Sequence, residues 1–449
     1  MRTSAFLGAF FALTALAVGA RAQEPPPPST IAPADAAAIR AELARQATAI
    51  EQLRATRDDR EKPAIRVSGF VQVDWTLHNQ SSQDEIDYSS GQPLNQDKLA
   101  LRRGHVRVDA ERGLVYGVLE TDANTVNGPQ VRPIDAEVGL RWPEKRDAKR
   151  PYLTASMGLL RTPFGFEVQE LDEVRPFLER ATVLRALFPG EFDLGARFAG
   201  GYRFAEWGVA VMNGSPIGSK EFPALAPGRT KDLLGRVGVH VEVVPDVRFE
   251  AGVSAVTGEG FHEGTPTTKD TLVWHDDNGD GIVQATEIQV IPGSSATASQ
   301  QFHRFAIGAD ARFIVRLPTL GELTLRAEVV RATNLDRGIE VADPVGAEHD
   351  LRELGWYLGA TQELTHWAMI GARYDRYDPD ADATRQSAAS LVPSSRAYST
   401  LALMAMVRYE TARLVFEYDK NGNALGRDAT GAPTTLASDA MIVRGQVTF

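Results

Sequence analysis

Residues 66–78 read Arg-Val-Ser-Gly-Phe-Val-Gln-Val-Asp-Trp-Thr-Leu-His, and they alternate between apolar and polar side chains. Val71, Val73 and Trp75 share one parity, whereas Gln72 and Asp74 share the other. In a β-strand successive side chains point to opposite faces, so a period of two gives one apolar and one polar face. The stretch therefore predicts a strand that lies between two different environments.

The same alternation recurs along the rest of the chain. We identify sixteen candidate strands, at 66–78, 98–109, 113–122, 134–142, 152–161, 196–204, 207–213, 233–243, 247–256, 303–316, 322–333, 352–363, 367–376, 397–409, 412–420 and 440–449. Most have the length that a tilted membrane-spanning strand needs. The pattern predicts an all-β protein.

The connections between these strands alternate between short and long. Tight turns such as Pro245-Asp246 and Thr365-His366 separate the long segments. The long segments are 79–97, 123–133, 162–195, 214–232, 257–302, 334–351, 377–396 and 421–439. Outer-membrane barrels have short periplasmic turns, long external loops and an even number of strands. We therefore predict a 16-stranded antiparallel transmembrane β-barrel over residues 64–449, in contact with outer-membrane lipid.

Composition excludes several other classes of protein. The 449 residues include 48 Lys+Arg against 59 Asp+Glu, for a net charge of −11, and no cysteine. An acidic balance argues against a nucleic-acid binder, which needs a basic surplus. Without cysteine there is no disulfide scaffold, thiolate zinc site or iron–sulfur cluster. The eight histidines form no HExxH motif, and neither a P-loop nor a Gly-x-Ser-x-Gly motif is present, so we do not expect an enzyme.

The first 62 residues have a different organisation from the barrel. Residues 1–22 have the basic start, short apolar core and small-x-small ending of a secretory signal peptide. A Pro-rich spacer follows at 23–33, and 34–62 predicts a short helix. These segments predict export to the outer membrane of a Gram-negative cell.

The predicted helix carries a coiled-coil-like seam with one polar member. Its positions are Ile39, Leu43, Gln46, Ile50 and Leu53, spaced by four and three residues. Two interpretations stay open: a surface helix that packs on the barrel, or a small periplasmic coiled coil that helps a homotrimer to assemble.

Two segments resemble a known family. Residues 101–107, Leu-Arg-Arg-Gly-His-Val-Arg, and 158–165, Gly-Leu-Leu-Arg-Thr-Pro-Phe-Gly, are similar to motifs of the phosphate-selective porin O and P family. Residues 178–181 and 193–195 follow at that family's spacing. The resemblance implies a sixteen-stranded, commonly trimeric porin whose third external loop folds into the pore. Arg161 stands where the family usually has Lys, which keeps the charge but changes the donor geometry.

The parity opposite the apolar one should face the lumen. In 98–109 the apolar parity changes between Leu101 and Val106, and a β-bulge near Arg102-Arg103 would reconcile the two halves. We expect loop 162–195 to form the constriction, with two short helical turns interrupted by Pro176. The candidate pore-lining, anion-attracting residues are Arg103, Arg107, Arg161, Arg175, Arg180, Arg185, Arg304 and Arg312. Alternatively, opposed arginines and carboxylates simply neutralise each other in a generic water-filled lumen.

The fifth long segment contains a calcium-binding motif. Residues 276–287 match the EF-hand loop Asp-x-Asn-x-Asp-Gly-x₅-Glu. The predicted Ca²⁺ ligands are Asp276, Asn278, Asp280, the carbonyl of Ile282, Gln284 and Glu287. The segments on either side look like strands rather than helices, so the expected role is to order an external loop.

These features predict a porin for passive diffusion of small hydrophilic solutes, with anions such as phosphate as the favoured class. One alternative is a non-selective general porin. Others are a surface receptor or adhesin built on the same barrel, with a calcium-ordered loop, and a soluble secreted β-protein.

Overall fold

The computed structural model describes residues 37, 41–51, 63–79, 82–87, 92–143, 151–218, 231–387, 390–429 and 433–449. The chain divides into two units, residues 1–61 and 62–449. The signal-peptide and spacer predictions, and the seam positions Ile39 and Leu53, lie outside the described residues. Residues 41–51 are helical, and Leu43, Gln46 and Ile50 on that helix are all exposed.

Residues 64–448 form a closed antiparallel barrel of sixteen strands, in which the first strand pairs with the last. In chain order the strands are β1 Ala64–His78, β2 Lys98–Arg112, β3 Val115–Asn124, β4 Gln130–Pro143, β5 Pro151–Arg161, β6 Phe192–Tyr202, β7 Ala205–Met212, β8 Asp232–Val244, β9 Val247–His262, β10 Gln300–Arg316, β11 Glu322–Thr333, β12 Leu354–Thr365, β13 Ala368–Asp378, β14 Tyr398–Tyr409, β15 Ala412–Gly422 and β16 Ala440–Thr448. Each of the sixteen predicted strands is present, so the fold prediction is confirmed.

In the barrel wall the apolar side chains are exposed on the outside and the charged ones are buried on the inside, which is the reverse of a soluble protein. On β8 the apolar Leu233, Val237 and Val239 are exposed on the outside, whereas Asp232 and Arg236 are buried on the inside. Exposed aromatic side chains lie near the strand ends, among them Trp75, Tyr202, Trp207, Trp367 and Tyr409. An apolar exterior with aromatic residues near its two rims is the surface of a barrel that sits in a bilayer.

The β-bulge predicted near Arg102-Arg103 is confirmed. Gln72 of β1 pairs with Arg103 of β2 while Val73 pairs with Leu101, so Arg102 is the extra residue. One connection is shorter than we predicted: β3 and β4 extend further, so residues 125–129 replace the long segment 123–133. The extended strands satisfy backbone hydrogen bonds that a longer loop would leave to water.

Three external connections form small hairpins that stand outside the barrel sheet, with strands Ser82–Asp87 and Gln92–Asn95, Thr384–Ser387 and Ser390–Pro393, and Gly426–Arg427 and Pro433–Thr434. A fourth hairpin, Thr271–Trp274 with Ile288–Ile291, lies in external loop 263–299 and has a 3₁₀ turn at Ala285–Glu287. Among the described residues, no helix is long and apolar enough to cross a membrane.

Candidate functional site

The connection between β5 and β6, residues 162–191, turns into the barrel; we call it the inserted loop. It ends four residues earlier than predicted because β6 already starts at Phe192. The helical turns predicted on either side of Pro176 are confirmed in part: after Pro176 the loop contains helix α1 Thr182–Leu187, whereas before it there are only single turns, in which the N–H groups of Glu170 and Arg175 donate to the carbonyls of Phe166 and Leu171. Proline lacks the N–H that a continuing helix needs, and the segment follows the barrel wall instead.

Apolar packing holds the inserted loop against one half of the barrel. Phe164, Leu184 and Phe188 are fully or almost fully buried in one cluster with residues of β7 to β13 and with Leu160 of β5. Further along the loop, Phe177 and Leu178 pack against Met404, Met406 and Val415 of β14 and β15. Burying side chains of this size excludes water and fills the lumen on that side. Cavities remain beside the loop, and they are lined by residues of β2 to β10.

Charged side chains also tie the inserted loop to the wall. Arg373 of β13 contacts Glu167 at 3.1 Å and Arg326 of β11 contacts Glu170 at 3.2 Å. Arg444 of β16 forms a bidentate pair with Asp74 of β1, at 2.7 Å for both contacts. The Arg444 guanidinium also donates to the carbonyl of Leu178 in the loop. The two ion pairs and the hydrogen bond from Arg444 thus attach the loop to three strands of the wall, β11, β13 and β16.

One acidic residue of the loop shows how these charges balance. Burial opposes ionisation of Asp172, but Arg103 and Arg175 outweigh it and hold the pKa of Asp172 well below its ordinary value. Arg175 in turn is almost fully buried and also faces Glu191, at 3.4 Å. These groups are charged partners in a structural network and are not free to bind solutes.

A second loop, residues 334–353 between β11 and β12, closes over the inserted loop. It contains the short helix α2 Pro344–Ala347. The backbone N–H of Arg337 donates to the carbonyl of Ala186 in α1 at 2.9 Å, and the Arg337 guanidinium binds Asp232 of β8 at 2.9 Å. We did not predict this contact from the sequence. The apolar Leu335, Ile339 and Ala342, uncommon in an exposed loop, were the available signal.

We call the cavity at the long-loop end of the lumen the outer cavity. It has a volume of about 350 Å³. Both loops and the wall strands β2 to β4 contribute to it. Its charged side chains are five arginines and four carboxylates, namely Arg102, Arg103, Arg132, Arg180, Arg185, Asp122, Asp172, Glu179 and Glu191. Gly338 and Ile339 of the second loop also line it. With His105 left out of the count, the charged side chains that line the cavity therefore sum to a small positive charge.

Two inner cavities of about 260 and 200 Å³ lie toward the short turns and share Gln169, Glu206 and Arg236. Small residues such as Gly208 and Ala199 line part of the larger one. Together the inner cavities contain three arginines, Arg197, Arg236 and Arg312, against four carboxylates, Glu170, Glu206, Glu250 and Asp310. The charged side chains that line the cavities thus sum to a small positive charge at the outer end and a small negative charge at the inner end.

Most of the predicted anion-attracting arginines are already paired with carboxylates. Arg103 contacts Asp172 and Glu179; Arg107 contacts Asp109, Glu120 and Asp135; Arg175 contacts Asp172 and Glu191; Arg180 contacts Glu191; Arg304 contacts Asp232; and Arg312 contacts Glu250. Arg161 donates to the carbonyls of Val168 and Glu170 and stacks on the ring of Phe192 at 4.5 Å.

Two arginines of the outer cavity differ from the rest. Arg185, on α1, is exposed and donates to the hydroxyl of Thr182 at 3.2 Å. Arg132, on β4, has a buried Nε with no hydrogen-bond partner in the described structure. Within the described ranges neither guanidinium forms an ion pair. We missed Arg132 from the sequence because Pro133 and a register shift on β4 obscure the alternation there.

The predicted calcium loop adopts an ordered conformation in its first half. The Asp276 carboxylate accepts hydrogen bonds from the N–H groups of residues 279, 280 and 281, and Asn278 accepts one from Asp280. Gly279 and Gly281 have positive φ, of 73° and 69°, which glycine adopts without strain. The Glu287 carboxylate instead accepts from the indole N–H of Trp274 at 3.1 Å. Among the described side chains, no three His, Asp or Glu groups converge closely enough to hold a metal.

Comparison with solved structures identifies the architecture. The outer-membrane channel DcaP of Acinetobacter baumannii aligns over 86% of this chain and 97% of its own, with a TM-score of 0.53 and 11% identity. The chain has the fold of outer-membrane porins. OprB of Pseudomonas putida aligns over 88% and 96%, with a TM-score of 0.52 and 10% identity. An anion-selective porin from Comamonas acidovorans aligns over 86% and 100%, with a TM-score of 0.51 and 10% identity.

The sequence comparisons give no narrower assignment. No family model and no curated protein sequence matches the chain. The solved structures therefore support the fold that porins share. They do not support a narrower assignment to the phosphate-selective porin O and P family. A closed barrel with an apolar exterior and a polar lumen places the protein in the outer membrane, since such a surface is stable only against lipid.

Proposed function

We propose that the protein is an outer-membrane porin through which small hydrophilic solutes diffuse passively. The observation that carries the proposal is a lumen that the inserted loop does not fill completely: the loop packs mainly against β7 to β15, and polar cavities of about 350, 260 and 200 Å³ remain beside it, lined by residues of β2 to β10 and of the loops. Cavities of this size suit solutes of a few to about twenty heavy atoms, and charged walls favour hydrated ones. Such solutes would cross without chemical change.

We further propose that the outer cavity favours anions, such as phosphate. Arg132 on the wall and Arg185 on α1 have no carboxylate partner among the described residues, so their charge is available to a solute. A guanidinium can bind a phosphate or carboxylate group through two hydrogen bonds. The inner cavities are slightly acidic, so the preference belongs to the outer end of the path.

The test is the reversal potential of the purified protein in a planar bilayer under a KCl gradient. We expect the sign of an anion-selective channel, and we expect Arg132→Gln with Arg185→Gln to shift the potential toward zero or beyond. Arg376→Gln is the matched control, because Arg376 is on the outer surface of β13 and contacts Ser395 rather than the lumen.

Three outcomes would separate the parts of this proposal. A cation-selective sign in the unaltered protein would overturn the anion preference and leave a general porin. A silent bilayer would overturn the channel itself and favour a receptor or adhesin. Equal currents in phosphate and chloride, after correction for mobility, would remove phosphate as the favoured anion.

For external loop 263–299 we propose Ca²⁺ binding at Asp276, Asn278, Asp280, Ile282, Gln284 and Glu287. The ordered turns around Asp276 support it, and Glu287 would have to exchange the indole of Trp274 for the ion. Isothermal titration with CaCl₂ should give a binding heat that Asp280→Ala abolishes. Asp277→Asn is the control, because position 277 is not a ligand position in this motif. Absence of heat in the unaltered protein would remove the site.

Export and assembly remain proposals as well. We propose that residues 1–22 are removed as a signal peptide and that helix 41–51, whose Leu43 and Ile50 are exposed, supports a homotrimer. Mass spectrometry of the mature protein tests the cleavage. Cross-linking of the full chain against Leu43→Lys with Ile50→Lys tests the helix: an unchanged trimer would overturn its role, and a monomer in the unaltered protein would overturn the trimer.

A further inference from the structure

Glu353, the last residue of the second loop, is a buried carboxyl group with no counter-ion among the described residues. Its side chain is 1% exposed. One oxygen, Oε1, accepts hydrogen bonds from the backbone N–H groups of Leu335 at 2.6 Å and Asp336 at 3.0 Å, which fixes the start of the loop. The other oxygen, Oε2, is buried and has no hydrogen-bond partner in the described structure. A buried ionised carboxylate in such surroundings is costly, so the geometry favours the protonated form.

The charged groups around Glu353 are acidic or engaged elsewhere. Asp336 accepts from three N–H groups of its own loop and from the hydroxyl of Tyr377 on β13. The Glu340 side chain accepts from Tyr398 of β14. The nearby basic groups have other partners: Arg337 binds Asp232, Arg352 is 3.8 Å from Asp350, and Arg396 binds Glu340. In the described part of the chain no basic side chain forms an ion pair with Glu353.

The same loop contains a histidine whose contacts require a proton. His349 Nδ1 is 2.8 Å from the carbonyl of Ala347, and Nε2 is 3.1 Å from the carboxylate of Asp380. Both partners only accept hydrogen bonds, so both ring nitrogens must donate, and only the imidazolium form has two donors. His262 of β9 makes a similar contact to Asp343, at 2.9 Å. Loss of the His349 proton would leave that ring with one donor for two acceptors and would weaken the attachment of the loop at His349.

The position of the second loop affects the width of the outer cavity. Its Gly338 and Ile339 line that cavity, and Arg337 attaches it to α1 of the inserted loop. Ile339 is half-buried against the apolar cluster around Leu184 and Phe188. Movement of residues 335–343 would therefore widen the path at its outer end.

We propose that the second loop is a pH-sensitive gate at the outer end of the lumen, docked when Glu353 and His349 are protonated and released when they lose their protons. In the docked loop, loss of the two protons would leave a buried, unpaired carboxylate at Glu353 beside Asp336. It would also remove the donor from His349 to Asp380. Both changes act in the same direction, so the outer end opens as the pH rises.

The expected pH window follows from the two groups. Burial, followed by the charge of Asp336, raises the pKa of Glu353 to about 7, against the backbone hydrogen bonds that lower it. A carboxyl whose pKa is higher in the docked than in the released loop supports docking below its ordinary pKa of 4.5 and loses that support as the pH rises toward 7. The hydrogen bond to Asp380 raises the pKa of His349 above 6.5, so its contribution also disappears as the pH rises through that range.

The first test is single-channel conductance between pH 5 and pH 8.5. We expect conductance to increase across this range in the unaltered protein, and Glu353→Gln to hold the low value to higher pH, since an amide cannot ionise. The matched control is Glu348→Gln in the same loop, which should titrate like the unaltered protein because Glu348 is exposed and forms no ion pair among the described residues. A Glu353→Gln channel that titrates like the Glu348→Gln channel would overturn the proposal.

The second test does not depend on ion flow or on the folding of a Glu353 variant. Because the chain has no cysteine, Ile339→Cys introduces a unique thiol at the moving segment, and Thr267→Cys provides an exposed reference in external loop 263–299. The labelling rate at position 339, divided by that at 267, should rise with pH, by up to roughly ten-fold per pH unit for each of the two protons released. A constant ratio would overturn the gate. Since this readout needs no current, a rising ratio in a silent bilayer would overturn the proposed porin function and leave the gate standing.

Discussion

At the scale of single residues, Glu191 decides how the inserted loop is held. Its carboxylate Oε1 lies 3.4 Å from Arg175 Nη2 and 3.1 Å from Arg180 Nε, and both arginines are almost fully buried. One acidic group thus contacts two guanidinium groups of the same loop, and Arg175 has Asp172 as a further partner. Removing one partner from a buried ion pair is more costly than never having formed the pair, because it leaves an uncompensated charge.

We predict that Glu191→Gln lowers the free energy of unfolding by roughly 3 kcal/mol, within the range for breaking a buried pair. Thermal unfolding in detergent micelles measures it. Glu111→Gln is the control: Glu111 pairs with Arg141 at 2.8 Å, but the two side chains are 55% and 41% exposed. Exposed pairs contribute about 1 kcal/mol or less. Equal losses in the two variants would contradict the prediction.

The two loops should also respond to pH in opposite directions. Arg103 and Arg175 lower the pKa of Asp172 despite its burial, so its contribution to docking is present above the ordinary value of 3.8 and is lost as the pH falls. We therefore predict that the inserted loop stays docked from neutral pH to about pH 4 and loosens only in stronger acid. Hydrogen exchange of residues 166–188, corrected for the intrinsic rate, measures this. Protection that falls as the pH rises would contradict it.

At the scale of elements, the alternation of apolar and polar side chains predicts strands well, because it depends only on which face of its own strand each residue occupies. All sixteen strands, and the bulge at Arg102, follow from that local pattern. The docking of the inserted loop does not, because its partners lie far away in the chain. Met404, Met406 and Val415 have the lumen parity and look like exceptions in a polar lumen until Phe177 and Leu178 cover them.

The candidate site was predictable to a smaller extent. The sequence singled out the segment that enters the barrel, but it could not show which arginines have partners. Arg304, for example, pairs with Asp232, which is 72 residues away along the chain. An ion pair depends on three-dimensional proximity and burial, neither of which a local pattern contains.

We predict that a bulky side chain at Gly208 obstructs the path. Gly208 of β7 faces the inner cavity, where a Cβ would lie 3.4 Å from the Cβ of Pro163. Gly208→Phe should reduce the single-channel conductance by roughly half or more, because the added ring occupies the narrow lumen. Gly235→Phe is the control, since Gly235 belongs to the lipid-facing parity of β8. Equal conductance in the two variants would place the path elsewhere.

At the scale of the whole molecule, the lipid bilayer replaces the apolar core of a soluble domain. Val237, Val239 and Val241 of β8 are exposed on the outer face of the described barrel, and such a surface is stable only against hydrocarbon. The net charge of −11 therefore describes the loops and the lumen, and not the surface that faces the membrane.

We predict that Val237→Arg lowers the free energy of unfolding in lipid vesicles by about 2–4 kcal/mol, the cost of an arginine near the bilayer centre on a barrel. Val237 lies in the middle of β8 and is 62% exposed on the outer face. Chemical denaturation from vesicles measures the change. Val237→Leu should remain close to the unaltered protein, and a neutral effect of the arginine would place this face outside the bilayer.

The bidentate pair between Arg444 and Asp74 has a consequence for assembly. It joins β16 to β1 across the seam where the barrel closes, and the same guanidinium donates to Leu178 of the inserted loop. A slip of one residue at the seam would turn Arg444 toward lipid and leave Asp74 alone in the lumen. Only the correct register joins both strands and the loop at once. The pair therefore stabilises the barrel only in the correct register. It couples closure of the wall to insertion of the loop and disfavours misaligned barrels.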